Sequence, residues 1–531
     1  VITAESPHQD QSWLITRRFV VAVALLQLVY QCGLLLKGFD FIVARLPIDD
    51  AYYYLQVAWN TPRLGFVTFD GVHRTNGMQF LWSVILIVLS PFSGSRPAFL
   101  IECLVLCLCL NALCYYPLYR IGKATGRPLF TIVLALAWFN INLTHVNWYL
   151  SGMENSLHSL VIWLLAAQMI CGGGGEKAGA VIRLCVLLVL NVWCRVDAAL
   201  LSAVLYGTFV WKERRVLSAK ILLISAVVSL AGAGIMLAGF FAMGGYPLPV
   251  SGLIKAHGHR WSFTQLPLLF SRGFEFVAPV RFLFPDSVPL LFRTVWAPLI
   301  FGVLVLWASA ASTRRPRTWP SSLRWTWCGL ALGTMGQLAY LSGLGVYAQY
   351  GIWYQSGFFI FCALSLAIAC EELVGWLKGR LHFGSRQLAG LAVAAGLVYG
   401  AFAGGWLFRR AIERPHPESF SYTRYRLARW IQQNTSPTDV LAAFNAGEIA
   451  YFSERRVINL DGLVNDYRYY REVILGGASL ADYLADNGVG YLVDYQMPVD
   501  VPSGATILHT LPDEEGNVFR VLKLPSPERA P

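Results

Sequence analysis

Runs of roughly 20 apolar residues recur along the chain, and a run of that length has few homes in a folded protein other than across a bilayer. They fall at 19–37, 98–118, 128–143, 156–172, 180–194, 197–211, 217–241, 291–311, 323–343, 354–374 and 388–408. That pattern predicts about eleven spans. Composition agrees: only 14% of the residues are charged, against about 25% in a typical soluble domain. With 56% apolar residues and a mean hydropathy of +0.51, a chain of 531 residues has too little charge to cover a water-facing surface. The expected class is therefore an α-helical polytopic membrane protein.

The formal charge of +11 does not imply nucleic-acid binding, because the basic residues sit in short clusters between apolar runs. With the N-terminus in the cytoplasm, the inside loops hold Arg120, Lys123 and Arg127; Lys177; Lys212, Arg214 and Arg215; Arg314, Arg315 and Arg317; and Lys378, Arg380 and Arg386. Positive charge on the cytoplasmic side fixes that orientation. The run Phe80 to Pro91 is too short to span and reads as a helix on or dipping into the outer leaflet. Arg17 and Arg18 precede the first run, which lacks a small-residue cleavage pattern and reads as a retained helix. Most cysteines lie inside apolar segments, as small core residues do, with no CxxC pair.

This topology leaves four polar stretches outside: 38–97, 144–155, 242–290 and everything after 409. Residues 1–411 thus form a transmembrane unit with two long outer loops, and 412–531 a soluble domain. In the latter, Tyr422 to Gln433 and Leu480 to Asn487 read as helices. Asp439 to Phe444, Arg456 to Leu460, Tyr491 to Asp494 and Phe519 to Leu522 read as strands, a small α/β domain.

The first outer loop opens with Pro47-Ile48-Asp49-Asp50-Ala51-Tyr52-Tyr53-Tyr54. Two adjacent carboxylates beside a membrane helix suit a general base with its partner, or a pair of metal ligands. They also suit a plain solvated loop or a helix N-terminus. Downstream stands Thr68-Phe69-Asp70-Gly71-Val72-His73-Arg74-Thr75-Asn76-Gly77, a turn with hydrogen-bonding side chains. The tyrosines and tryptophans near the outer boundary, among them Tyr52, Tyr53, Tyr54, Trp148, Tyr347, Tyr350, Trp353 and Tyr354, read mostly as an interfacial belt.

Taken together these stretches resemble the first outer loop of bacterial membrane glycosyltransferases of the GT-C class. Ser151-Gly152-Met153-Glu154 resembles that class's Gly-x-Glu patch, and Arg195-Val196-Asp197 its Arg-x-Asp. Tyr246-Pro247-Leu248-Pro249 with Lys255 is similar to its loop of Pro and Lys. Ile449-Ala450-Tyr451-Phe452-Ser453 and Val457-Ile458-Asn459-Leu460-Asp461-Gly462-Leu463-Val464 are similar to its C-terminal domain. The likeness runs from about Pro47 to Asp466 and is nearest to the mycobacterial arabinofuranosyltransferases that use decaprenyl-phosphate arabinose. Asn459 departs from an acidic residue usual there, and Pro-Leu-Pro-Val lacks the usual Asn-Thr pair.

The resemblance implies an inverting glycosyltransferase in a bacterial cytoplasmic membrane. It would move a sugar from a polyprenyl-phosphate donor to a glycan, lipid or protein acceptor of the cell envelope, on the outer face. It implies an aspartate of the first outer loop as base, with Asp49 the first choice and Asp50 the alternative or its partner, and leaves room for a divalent cation (Mg, Mn or Ca) on that pair. Donor-binding candidates are His73, Arg74, Asn76, Glu154, Arg195, Lys255 and His257, with His259 and Arg260 beside them. Asp461 and Asn465 are candidates on the acceptor side. The rival readings are a transporter or flippase of a lipid-linked or small polar substrate, a lipid-sugar polymerase, and a scaffold. No internal repeat supports the first.

Overall fold

The computed structural model describes residues 7–172, 178–257, 262–264, 266–277, 288–313, 319–343, 352–380, 419–495 and 504–525, with isolated positions between 387 and 413. Each apolar run from 19–37 to 354–374 coincides with a helix. The last, 388–408, lies almost wholly outside the described residues, as do His259, Arg260, Tyr347 and Tyr350. The chain is an α-helical polytopic membrane protein with a small C-terminal sheet domain.

Gln11–Leu35, Arg96–Thr125, Ala219–Gly244, Phe292–Ala311 and Ser356–Arg380 are long and apolar enough to cross a bilayer. Shorter helices fill the space between them. Pro128–Thr144 and Asn155–Cys171 bury Trp138, Ile141, Ile162 and Trp163 in one hydrophobic cluster with the helix Ser356–Arg380. By contrast Ala219–Gly244 exposes Leu223, Leu230, Ile235 and Phe241, the mark of a peripheral helix facing lipid.

The run at Phe80 to Pro91 forms the helix Phe80–Leu89 and one 3-10 turn, Ser90–Phe92. Trp82 and Leu86 are buried, while Val88 and Phe92 are exposed. The indole N–H of Trp82 donates to the Gly152 carbonyl at 2.9 Å, so this short helix braces the turn that carries Glu154.

The C-terminal segment opens with the helix Phe420–Asn434 and holds five strands. These are β1 (Val440–Ala443), β2 (Arg456–Asn459), β3 (Tyr491–Asp494), β4 (Thr506–Pro512) and β5 (Val518–Lys523), in the order β2-β1-β3-β5-β4. The first three run parallel, with Leu441 opposite both Val457 and Tyr491; β5 and β4 are antiparallel. Strand β4 has no counterpart in the sequence reading. It is a largely exposed edge strand, with no buried row to give it an apolar period.

The sheet domain is not a separate globule. One hydrophobic cluster takes in Tyr52, Trp82, Phe99 and Leu104 from the membrane unit and Leu427, Tyr451, Val464 and Phe519 from the C-terminal segment. Arg96 donates to the Gln56 side chain and the Tyr451 carbonyl, both at 2.6 Å, and the Tyr451 hydroxyl returns a bond to the Arg96 carbonyl. Burying that much shared apolar surface holds the two parts together.

Candidate active site

A small cavity opens where the first loop, the segment after Gly244 and the C-terminal domain meet. Asp50, Tyr53 and Tyr54 reach it from the first turns of the helix Asp49–Leu64. Glu154 and Arg195 reach it from the ends of two membrane helices, and Ser251 and Lys255 from the short helix Val250–Ala256. Trp353, Tyr354, Leu463 and Val464 complete the wall.

The adjacent aspartates part company, because neighbouring helical residues point about 100° apart. Asp50 lines the cavity and makes no direct hydrogen bond or ion pair among the described residues. Asp49 turns to the C-terminal domain. Its carboxylate takes the Arg424 guanidinium and the Glu448 amide at 2.9 Å, with the Gly447 amide at 3.4 Å. Gly447 and Glu448 begin the helix Ala446–Ser453, so Asp49 supplies the negative charge that a helix N-terminus attracts.

That division bears on a metal. Asp49 is engaged by the C-terminal domain while Asp50 faces the cavity, and no three His, Cys, Asp or Glu side chains gather among the described residues. The chemistry below uses no divalent cation.

Two cations face Asp50 across the cavity. Arg195 is buried, pairs with Glu154, and holds Asp197 at 2.9 Å. Its guanidinium lies 4.3 Å from the centre of the Tyr354 ring. Lys255 donates to the Tyr354 hydroxyl at 3.2 Å. Burial alone would lower the Lys255 ammonium, but the Tyr354 hydroxyl and the Asp50 carboxylate outweigh it and hold its pKa up, so it stays charged.

The other residues singled out in sequence serve the walls. Asn76 is buried and fully engaged: its amide donates to the Tyr246 and Leu248 carbonyls at 2.7 and 3.0 Å, and its carbonyl accepts the Val250 amide at 3.0 Å. His73 pairs with Asp70 at 2.6 Å inside its own turn. Arg74 is exposed and donates to the Ala242 carbonyl. His257 is exposed and meets the Tyr470 ring. Asn465 donates to the Asn459 carbonyl at 2.8 Å, within the turn that carries Asp461.

Asp461 accepts the Tyr53 hydroxyl at 2.7 Å, one position removed from the cavity. Sequence reasoning passed over Tyr53, Tyr54 and Tyr354, which a belt explained equally well. It also missed Arg424 and Glu448, for which no local signal exists.

Burial pushes Asp461 up to about 7 despite its bond from Tyr53, and pushes Glu448 up to about 8 despite Arg424 beside it. Both therefore bind protons in the folded chain at pH values where the unfolded chain, with ordinary carboxyls, does not. Stability from this source is full at acid pH and drains away as pH rises through 7 and 8. Thermal unfolding of the whole chain should show a lower Tm at about pH 9 than at about pH 6. The double variant Asp461→Asn, Glu448→Gln should flatten that dependence; an unchanged slope would assign it to other groups.

Residues 416–522 match the family model described as a domain of unknown function (DUF8728). A sequence comparison with curated proteins returns no match. Among solved structures the chain is similar to the oligosaccharyltransferase of Archaeoglobus fulgidus tethered with an acceptor peptide, with TM-score 0.56 and 12% identity over 90% of this chain and 69% of that one. It is also similar to ArnT from Cupriavidus metallidurans, with TM-score 0.55 and 12% identity over 98% of this chain and 99% of that one. Both are GT-C glycosyltransferases. From its first described helices to its C-terminal sheet, this chain has the GT-C fold.

Proposed function

We propose that the protein is an inverting glycosyltransferase that moves a sugar from a polyprenyl-phosphate donor to a cell-envelope acceptor, on the outer face of a bacterial cytoplasmic membrane. The observation that carries this reading is the unpaired Asp50 carboxylate sharing one small cavity with the Lys255 ammonium and the Arg195 guanidinium.

The chemistry would use those charges directly. An acceptor hydroxyl attacks the anomeric carbon of the donor sugar and forms the new C–O bond. The bond from that carbon to the phosphate oxygen breaks with its electron pair, and polyprenyl phosphate leaves. Asp50 takes the hydroxyl proton as the bond forms. Lys255 and Arg195 stabilise the charge growing on the leaving phosphate, and a fixed cation is worth more in such a closed site than in water. Glu154 holds the Arg195 guanidinium in place. The fold shared with oligosaccharyltransferase and ArnT supports sugar transfer as the reaction class.

The test is transfer from radiolabelled polyprenyl-phosphate sugars by the purified protein, beside Lys255→Met. Losing a charge-assisted hydrogen bond costs roughly 1.5–3 kcal/mol, so kcat/KM for the donor should fall about ten- to a hundredfold with the Tm unchanged. A parent chain that neither transfers nor binds any such donor would overturn the reading and bring the transporter forward.

A further inference from the structure

Beside the cavity lies a row of aromatic rings that the transfer chemistry does not use. Tyr246 stacks face to face on Tyr467, with centroids 4.1 Å apart and planes 6° from parallel. Tyr470 follows Tyr467 at 6.0 Å, and the His257 ring stands edge-on to Tyr470 at 6.4 Å. The three tyrosines are half-buried and His257 is exposed.

The row joins two segments that are remote in sequence. Tyr246 and His257 flank the helix Val250–Ala256, whose Ser251 and Lys255 line the cavity. Tyr467 and Tyr470 follow the turn whose Leu463 and Val464 line it. The segments are packed tightly: a Cβ on Gly462 would stand 2.4 Å from the Ile254 side chain. Row and cavity wall are thus two sides of one close-packed construction. Tyr470 also opens the π-helical turn Tyr470–Leu475, an irregularity frequent at functional sites.

We propose that this row is the acceptor platform, where a neutral glycan lies with its growing end in the cavity; the proposal rests on the glycosyl-transfer reading above. A sugar ring offers an apolar C–H face that an aromatic ring covers, and rim hydroxyls that tyrosine and arginine groups meet. Tyr246 and Tyr467 cover one face of each other, so a sugar would meet that pair on an outer face or edge and continue along the tilted Tyr470 ring and His257. The charge balance disfavours an anionic lipid surface. Arg468 and Arg471 are well exposed, but both pair with Glu472, at 2.7 and 2.8 Å, which removes much of the basic surplus such a surface requires. A peptide would look for a sheet edge or a side-chain groove, and the row provides stacked rings.

The experiment applies the full chain, in detergent, to an array of immobilised neutral linear oligosaccharides, with a peptide array and anionic vesicles in parallel. The parent should bind at least one oligosaccharide. Tyr470→Ala and Tyr246→Ala, made on opposite segments, should each weaken that binding about tenfold, and Tyr470→Phe should keep it. Tm values identify any variant that fails to fold, and the other then decides. Polyprenyl-phosphate sugar binding should be unchanged in all of them. Equal glycan binding by the parent and the alanine variants would overturn the proposal. So would a parent that binds no oligosaccharide, or that binds only peptides or vesicles. If the parent binds no donor lipid, the transfer reading itself has failed. If donor binding is intact and the tyrosines are irrelevant, only the platform has failed.

Discussion

Asp50→Asn should lower sugar transfer about a hundred- to ten-thousandfold while the chain stays folded, because it removes the group proposed to take the acceptor proton. An amide is nearly the same size and cannot act as a base, so Tm and donor binding should hardly move. Asp49→Asn should do the reverse. It leaves the buried Arg424 guanidinium with the Asn445 carbonyl at 3.4 Å and Glu448 3.7 Å away, and removes the anion at the start of the helix Ala446–Ser453. Breaking a buried pair in this way costs a few kcal/mol, so the Tm should fall and activity should fall with it in proportion to the unfolded fraction. The pair of variants separates catalysis from docking at two neighbouring positions. Full loss of transfer in Asp49→Asn at an unchanged Tm would exchange the two roles.

The second large effect is expected from one methyl group. A Cβ added at Gly77 would lie 1.7 Å from the Leu463 carbonyl oxygen, a backbone atom that cannot swing aside. Gly77→Ala must therefore push the turn 461–464 away from the first loop. That turn brings Leu463 and Val464 to the cavity and Asp461 to Tyr53. Transfer should be abolished, and the helix Phe420–Asn434 should become sensitive to protease. Gly375→Ala is the matched control, since that position has open space around it. If Gly77→Ala retained activity and protease resistance, the contact between the two parts would be looser than described.

The helices of the membrane part were legible because run length is a local property, and each apolar run within the described residues is a helix. The C-terminal strands β1, β2, β3 and β5 were legible as short apolar runs bounded by polar residues, each with a buried row. The roles of Asp49 and Asp50 were not. Which of two adjacent residues faces a cavity depends on the phase of the helix and on what packs against it, and here that partner is Arg424, far along the chain. Asn76 stood out as a polar residue in a promising loop, yet it is an internal staple. Its three strong hydrogen bonds all go to backbone between Tyr246 and Val250. The sequence marks such a residue as polar and says nothing of its partners. Tyr53 and Tyr54 were hidden differently, because a general explanation for interfacial tyrosines already covered them.

The wall made by Leu463 and Val464 has a consequence for how the protein is made. Ribosomes deliver Asp50, Glu154, Arg195 and Lys255 long before the residues that close the cavity around them. Until that late turn has been synthesised and docked against Gly77, a nascent chain holds the groups proposed for transfer in an open cleft. A chain stalled after the helix Ser356–Arg380 would be an inserted but inert protein. Competence then arrives late in biogenesis, and under the proposed chemistry a truncated product in the bilayer would transfer no sugar.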